Sequence, residues 1–567
     1  MIRNTILGVA LSFIVTSCLD FNPKDQMSDG NMWATPSDFK YFANNFYDWT
    51  RDFKNVTGDG SHSDARSDIF TGAAFNEFSH GSNTIPTSDG SYTNNYKYIR
   101  RANLLLKNAE SFGSSGIETY IGEAKFFRAY FHFDLVQLYG DVIKVDKVMD
   151  INSPEMNVKR NDRGEVIDFI LTDLDEAKEL LPDSPEEEGR LSKWAAYAFI
   201  SRVALYEGTW QKFRGNEERG KSLLDIAAKA ADKVIASHKF ELFKPASLGE
   251  YAYKYMFTLE NTKSNPAGLT KKDNKEYIFS RRHDEIIDPT GQNITHGYVA
   301  NAIYMNRKFV NMYLCSNGLP IEYNGKTNEL FKGYDTETSE FENRDIRMKN
   351  TLLKKGEKFW DNEETTCRIT WDDADLARAR TCVVNSGTGY QNQKWGTERK
   401  VKDKSEGYDY PIIRYAEVLL NYAEAVYERD GSISDEDLNK SLNLVRKRVN
   451  PEMPELSNAL VDDNGLSMRE EIRRERTVEL VHEGFRIDDL KRWKTAETEM
   501  PQDIIGIKWK GTAFETSWSQ AATVKQNADG CLILEDGRSW AEKNYLYPLP
   551  SDQTQLNPNL GQNPGWN

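Results

Sequence analysis

Only five cysteines occur in 567 residues, and no two of them are spaced as C-x-x-C. A zinc ribbon or a dithiol redox centre needs that spacing, so neither is supported. The interior has no apolar run near the roughly 20 residues a membrane helix requires. There is no G-x-S-x-G elbow, and HEGF at 482–485 is not H-E-x-x-H because position 486 is arginine, which excludes a zincin. Positive charge is outnumbered: 73 Lys+Arg stand against 88 Asp+Glu, a net charge of −15. Such a surface repels phosphate backbones and speaks against a nucleic-acid partner. GDGSHSDARSD at 58–68 collects Asp59, His62, Asp64 and Asp68. It lacks the order and closing glutamate of a calcium loop, so no metal site is assigned.

The chain does have the composition of a folded, soluble protein, 39% hydrophobic and 28% charged. Aromatics make up 12%, with 27 Tyr and 12 Trp. Many fall among Gly, Asn, Asp and Ser, where a core is not their obvious home. The N-terminus reads as an address. Arg3 precedes an apolar stretch from Ile6 to Val15, which suits a signal-peptide core and is too short to span a bilayer. Val15-Thr16-Ser17 leads into Cys18 like a bacterial lipobox, which makes 1–17 a lipoprotein signal peptide and Cys18 the acylated first mature residue. The polar LDFNPKDQMSDGN that follows suits a tether. Two or more acyl chains on one cysteine anchor a protein stably without a membrane span. The other cysteines, Cys315, Cys367, Cys382 and Cys531, allow two disulfides by three connectivities, or none; Cys367–Cys382 is the first pairing to expect.

Helical spacing recurs at Lys97–Ser111, Glu118–Tyr139, Val166–Leu181, Leu191–Glu207, Leu223–Ala236, Ile412–Glu428, Glu436–Val449 and Met468–His482. Leu191–Glu207 is apolar nearly all round, as a helix buried between others is. Consecutive helices with short Gly- or Pro-bearing turns form hairpins. Their Ala-rich, Tyr-bearing pattern is tetratricopeptide-like, without a strict period of about 34 residues. The expected fold is mostly α in a single domain from residue 18. A helical hairpin scaffold occupies about 96–240 and 405–495. A loop-rich insertion occupies about 241–404, with a short strand at 276–282, and 496–567 is irregular. An aperiodic stretch as long as this insertion usually carries function.

Two patterns imitate enzymes. GNEERGKS at 215–222 fits G-x-x-x-x-G-K-[ST]. A phosphate loop needs an apolar strand before it, whereas LYEGTWQKFR is the end of a buried helix, and Glu217 and Glu218 put negative charge where phosphates would lie. The stretch therefore reads as a hairpin turn. Glu475 and Glu479 share a helical face like a glycosidase's carboxylate pair. They lie among Arg473, Arg474, Arg476 and Arg486, whose charge lowers carboxyl pKa values when a general acid needs a raised one. An ion-pair network is the expected role.

An ordered set of segments carries a resemblance. It runs from CLDFNPKDQ through YKYIRRANLLLKNAE (96–110), YIGEAKFFRAYFHFDLVQLYGDV (120–142) and RLSKWAAYAFISRVALYEGTW (190–210). FVNMYLCSNGLPI (309–321), NRDIRMKNTLL (343–353), TGYQNQKW (388–395) and YPIIRYAEVLLNYAEA (410–425) continue it. IRRERTVELVHEGFRIDDLKRW (472–493), YLYPLP and NPNLGQNPGW (545–566) complete it. Together these resemble the SusD/RagB family of Bacteroidetes surface lipoproteins over almost the whole mature chain. The resemblance implies a SusD-like fold, with tetratricopeptide-like hairpins as scaffold and irregular loops carrying the ligand surface. It implies a non-enzymatic protein without cofactor, lipid-anchored at the outer membrane and exposed at the cell surface. Such a protein binds oligosaccharides, or sometimes peptides, and lies as a lid on a TonB-dependent transporter of the SusC type. A surface glycosidase and a tetratricopeptide assembly scaffold are the competing classes.

A sugar ring offers a C–H face to a flat aromatic and a hydroxyl edge to amides, carboxylates, His and Arg. The resemblance points first to Tyr92 and Asn95, at a position where the family often has tryptophan. His283, Asn293, His296 and Tyr298 form a second candidate in the loop 281–298. Trp360 and Trp371, in an Asp-rich stretch, are possible platforms. Trp194 and Trp493 lie on helices and are expected in the core. Trp395 and Trp566 are expected to be structural.

Overall fold

The computed structural model describes residues 32–567, apart from 57, 73–74, 151, 293, 296–302, 362–365, 369–387, 403 and 567; the side chains at 155, 303, 359–361 and 366–368 are also outside the description. Cys18, Asn293, His296, Tyr298, Trp371 and the Cys367–Cys382 pairing therefore lie outside the described residues, as does the Trp360 side chain. Cys315 and Cys531 are buried free thiols, which rules out two disulfides among the four.

The first helix, α1 (Pro36–Asp48), was not anticipated. Thr35 and Asp38 form a capping box, with Pro36 in the first turn. Phe39, Phe42, Ala43 and Phe46 recur at helical spacing and are all buried. The scaffold continues with α2 (Gly90–Phe112), α3 (Glu118–Tyr139), α4 (Arg163–Leu180), α5 (Lys193–Lys212) and α6 (Glu217–Ala236). Successive helices pack along one another as antiparallel hairpins, and α6 also packs on α7 (Tyr415–Asp430). The residues of α5 are buried on almost every side, as its all-round apolar sequence requires.

GNEERGKS spans the end of the turn between α5 and α6, with Gly215 at φ +88°, and the first six residues of α6. Its second glycine has a packing reason. A Cβ on Gly220 would lie 3.0 Å from the Gly208 carbonyl oxygen, and one on Gly208 would lie 2.9 Å from the Leu224 side chain. The two helices close where both residues lack a side chain. No apolar strand precedes the turn.

The expected strand is β1 (Tyr277–Arg281). It pairs antiparallel with β2 (Tyr410–Arg414), with irregular register between Pro411 and Arg414. This pairing stitches the insertion to the residues that lead directly into α7. The expected helix Glu436–Val449 is instead two short ones, α8 (Asp435–Asn439) and α9 (Leu442–Arg446). The chain then enters α10 (Met468–Leu480) and α11 (Arg486–Arg492). Among the described residues no helix is long and apolar enough to cross a membrane.

The centre of the molecule is ionic as well as apolar. Glu479 on α10 meets Arg347 at 3.1 Å, Arg414 at 2.7 Å and Arg448 at 3.0 Å. Glu475 meets Arg347 at 2.5 Å, and Glu483 meets Arg414 and Lys394. The two carboxylates on α10 differ. Burial would raise Glu479, but Arg448, Arg414 and Arg347 hold its pKa down to about 2. At Glu475 burial outweighs Arg347 and Arg446, and the pKa is raised. The expectation that the arginines lower both is therefore corrected for Glu475.

His132 on α3 sits within this interior as a neutral ring. Its Nδ1 lies 2.8 Å from the Arg128 carbonyl, and its Nε2 accepts the Val145 N–H at 3.2 Å, a pattern that assigns the proton to Nδ1. Burial pushes its pKa down to about 3. As pH falls below about 6.5 the unfolded chain takes up this proton before the folded one does. The stability tied to the neutral ring is therefore present above pH 6.5 and lost toward pH 3. Between pH 6.5 and 4.5 the wild-type protein is expected to lose about 2–3 kcal/mol more than His132→Gln, read as the shift in urea midpoint at the two pH values. Equal acid losses in both proteins would contradict the assignment.

Candidate functional site

Where α1 ends, the chain meets the start of α2 and the middle of α3, and a cleft of about 250 Å³ opens between them. Trp49 is the residue that closes α1, its N–H bonded to the Phe46 carbonyl at 3.2 Å. Three residues beyond Phe46, it continues the buried stripe just as the helix stops, so its ring is only half-buried. The ring stacks on that of Tyr98 from α2, with centroids 4.5 Å apart and planes 10° from parallel. Phe131 of α3 supports both rings, 6.5 Å from Trp49 and 5.1 Å from Tyr98. Offset or tilted aromatic contacts of this kind fix a platform at little conformational cost.

The facing wall is polar and is organised by Asp134 of α3. Its carboxylate accepts from the Asn95 amide at 2.8 Å and from Arg51 at 3.1 Å, and lies 2.9 Å from His62 Nε2. On its other side, His62 Nδ1 is 2.8 Å from Asp488 of α11. Burial alone would raise the Asp134 carboxyl; His62, Arg51 and Asn95 hold it well below the ordinary range. Burial and Arg51 push His62 down, but Asp488 and Asp134 outweigh them, and its pKa is raised. Perturbed groups gathered in a cleft mark candidate functional sites. Ser61 and Ser91 hydroxyls, 2.9 Å apart, and the exposed Asn94 and Lys54 complete the rim.

Of the residues singled out from sequence, Asn95 and His62 line this cleft, His62 having been weighed there only as a metal ligand. Tyr92 is 3% exposed, with its ring packed edge-on against Tyr96 at 5.0 Å and Tyr139 at 5.1 Å. It is a core residue that ties α2 to α3, and it offers no open face for stacking. His283 is 6% exposed. Its Nε2 is 2.9 Å from Asp52 and its Nδ1 3.2 Å from the Asp288 carbonyl, so both ring nitrogens are engaged within the protein. The Trp360 backbone lies in a hairpin opposite Cys367. Trp194 is half-buried, while Trp395, Trp493 and Trp566 are buried. Asp59, Asp64 and Asp68 turn to separate partners: Arg66, the backbone of His482 and Arg486, and the side chains of Arg486 and Lys308.

The missed residues carry a readable signal. Ser91, Asn94 and Tyr98 stand at i, i+3 and i+7, on the one face of α2 that also carries the expected Asn95 at i+4. Tyr92 lies on the next face around. Trp49 and Arg51, in DWTR, needed α1 to be recognised first.

Two family profiles match the chain. One, described as "SusD family", matches residues 253–566. The other, described as "Starch-binding associating with outer membrane", matches 20–205. SusD-like protein P2 of Formosa agariphila is 24% identical over 484 residues, covering 83% of this chain and 79% of that protein. A SusD-like protein of Bacteroides ovatus is 21% identical over 506 residues, with 84% and 80% covered. Among solved structures, a SusD-like carbohydrate binding protein of Bacteroides fragilis superposes with a TM-score of 0.73 at 22% identity, covering 93% of this chain and 99% of that one. A second SusD-like protein from B. fragilis gives 0.72 at 23% identity, with 95% and 98% covered. The two solved structures share the fold of this chain.

Proposed function

Since the chain belongs to the SusD family, we propose that it captures oligosaccharides in the Trp49–Tyr98 cleft and delivers them to a SusC-like TonB-dependent transporter. It does so at the outer surface of the outer membrane, held there by lipid on Cys18, and does not cut its ligand. One observation carries this reading: a stacked, half-open aromatic pair faces a wall in which Asp134, Asn95, Arg51 and His62 are already held in place. The C–H face of a sugar packs on the rings, while its hydroxyls meet donors and acceptors on the opposite side. Because those groups are fixed by one another before ligand arrives, little ordering cost is left for binding.

The buried Glu475 and Glu479 lack access to a substrate and are engaged by arginine. They therefore support no glycosidase reading.

The test is calorimetric titration of the purified chain with a panel of oligosaccharides, followed by chromatography of each mixture. At least one oligosaccharide should bind and be recovered uncut. Recovery of shortened products would favour a glycosidase. Affinity for peptides with none for any saccharide would favour the peptide-binding alternative. Copurification of a TonB-dependent transporter from solubilised outer membrane tests the delivery step, and Cys18→Ala should release the chain from that membrane.

A further inference from the structure

A larger cleft, about 380 Å³, lies on the other side of β1. The end of that strand separates the two. Successive residues of a strand point to opposite faces. Arg281 reaches Asp48 on the rim of the Trp49 cleft at 3.0 Å, whereas Arg282 reaches Glu188 on the rim of the larger one at 3.0 Å. The second cleft is lined by the start of α5, the turn at 271–274 and β1.

Its lining differs in charge from the molecule as a whole. In a chain of net charge −15, it carries five cationic side chains, Arg190, Lys239, Lys271, Lys272 and Arg282, against three carboxylates. All three carboxylates are already ion-paired, Asp183 with Lys239 and Lys193, Glu188 with Arg282, and Asp409 with Lys271, and Arg190 is held by Glu123 and Glu187 outside the lining. Hydrogen bonds from Lys239 and Lys193 hold Asp183 down to about 2. Lys272 is exposed and makes no ion pair among the described residues, and its charge helps hold Glu188 low. It stands on a turn fixed by the Thr270–Asp273 capping box. The positive end of the α5 dipole, at Ser192 and Trp194, adds to the bias.

The cleft also has rings. Trp194 and Tyr277 are half-buried in its wall. The Trp194 indole N–H is buried and has no acceptor among the described residues.

We propose that this cleft is a second saccharide site, selective for sugars that carry an anionic group, a carboxylate or a sulfate. The anion meets Lys272, the lining cation without an ion pair among the described residues, and the sugar face meets Trp194 and Tyr277. That the ligand is a saccharide rests on the function proposed above; that it is anionic rests on this cleft alone.

Calorimetry with trigalacturonate, a sulfated disaccharide and neutral maltotriose as probes tests this. The wild-type chain, Trp49→Ala and Lys272→Glu are compared in 20 mM and 300 mM salt. An anionic probe should bind Trp49→Ala as tightly as wild type, lose at least tenfold with Lys272→Glu, and weaken at the higher salt. Trp194→Ala, which removes the ring on which the sugar face packs, should weaken the same probe several-fold. Trigalacturonate alone binding this way assigns the carboxylate, and the sulfated probe alone assigns the sulfate. Three results would each overturn the second site: neither anionic probe bound by wild type, binding abolished by Trp49→Ala, or binding indifferent to Lys272→Glu. The last two would leave the Trp49 cleft standing.

Discussion

Glu479→Ala is expected to cost about 3–5 kcal/mol of folding stability. The carboxylate is 0% exposed and faces Arg347, Arg414 and Arg448 together. Its removal leaves three buried guanidinium groups to share Glu475, Glu276, Glu483 and Asp345, and Arg448 keeps only Glu276. The cost arises from uncompensated buried charge and does not equal the net worth of the ion pair, which desolvation largely cancels. Glu479→Gln keeps the shape and one acceptor oxygen, so it should fall between alanine and wild type. The Lys525–Asp536 pair is an internal control because both side chains are more than half exposed. Surface pairs contribute little, so Lys525→Ala should not move the urea midpoint measurably. A loss below about 1 kcal/mol for Glu479→Ala would show that the arginines repack or find water, contrary to their burial.

Trp49→Ala carries the second large effect, this time on ligand. Loss of the outer member of a stacked pair should weaken oligosaccharide retention at least tenfold, about 1.4 kcal/mol. Tyr98 then remains as a single ring without its partner. Trp49 also packs on Phe46 and Phe131, so some stability is lost as well. Trp49→Phe separates the two effects: it keeps a ring at the close of α1 and should retain most of the binding. Circular dichroism at the titration temperature would establish that each variant is folded. An unchanged dissociation constant for Trp49→Ala would move the site elsewhere.

The helical scaffold was legible because its signal is local. Glu118–Tyr139 is read from sequence with the bounds α3 has, and Met468 opens both the expected and the observed helix. Apolar residues at helical spacing, with Gly or Pro at the ends, specify such elements directly. The α8–α9 break at Lys440 and Ser441 was not legible, because it depends on how those residues meet their neighbours. The helix α1 could have been read. TPSD at 35–38 is an N-terminal cap, and Phe39, Phe42 and Phe46 keep the period.

The site was less legible than the fold. A family position drew attention to Tyr92, yet a helix has several faces, and which one is buried depends on a partner helix, here α3 through Tyr139. Asn95 points into the cleft and Tyr92 does not, although three residues separate them and both are buried. His283 shows the same limit. A histidine in a polar loop reads as available, and Asp52, from a distant segment, occupies it.

The most direct measurement is a crystal structure of the chain with an oligosaccharide retained in titration. The account predicts sugar density against Trp49 and Tyr98, with at least one hydroxyl within hydrogen-bond distance of Asn94, Asn95 or Arg51. Density confined to another part of the surface, with the Trp49–Tyr98 cleft holding only water, would contradict it.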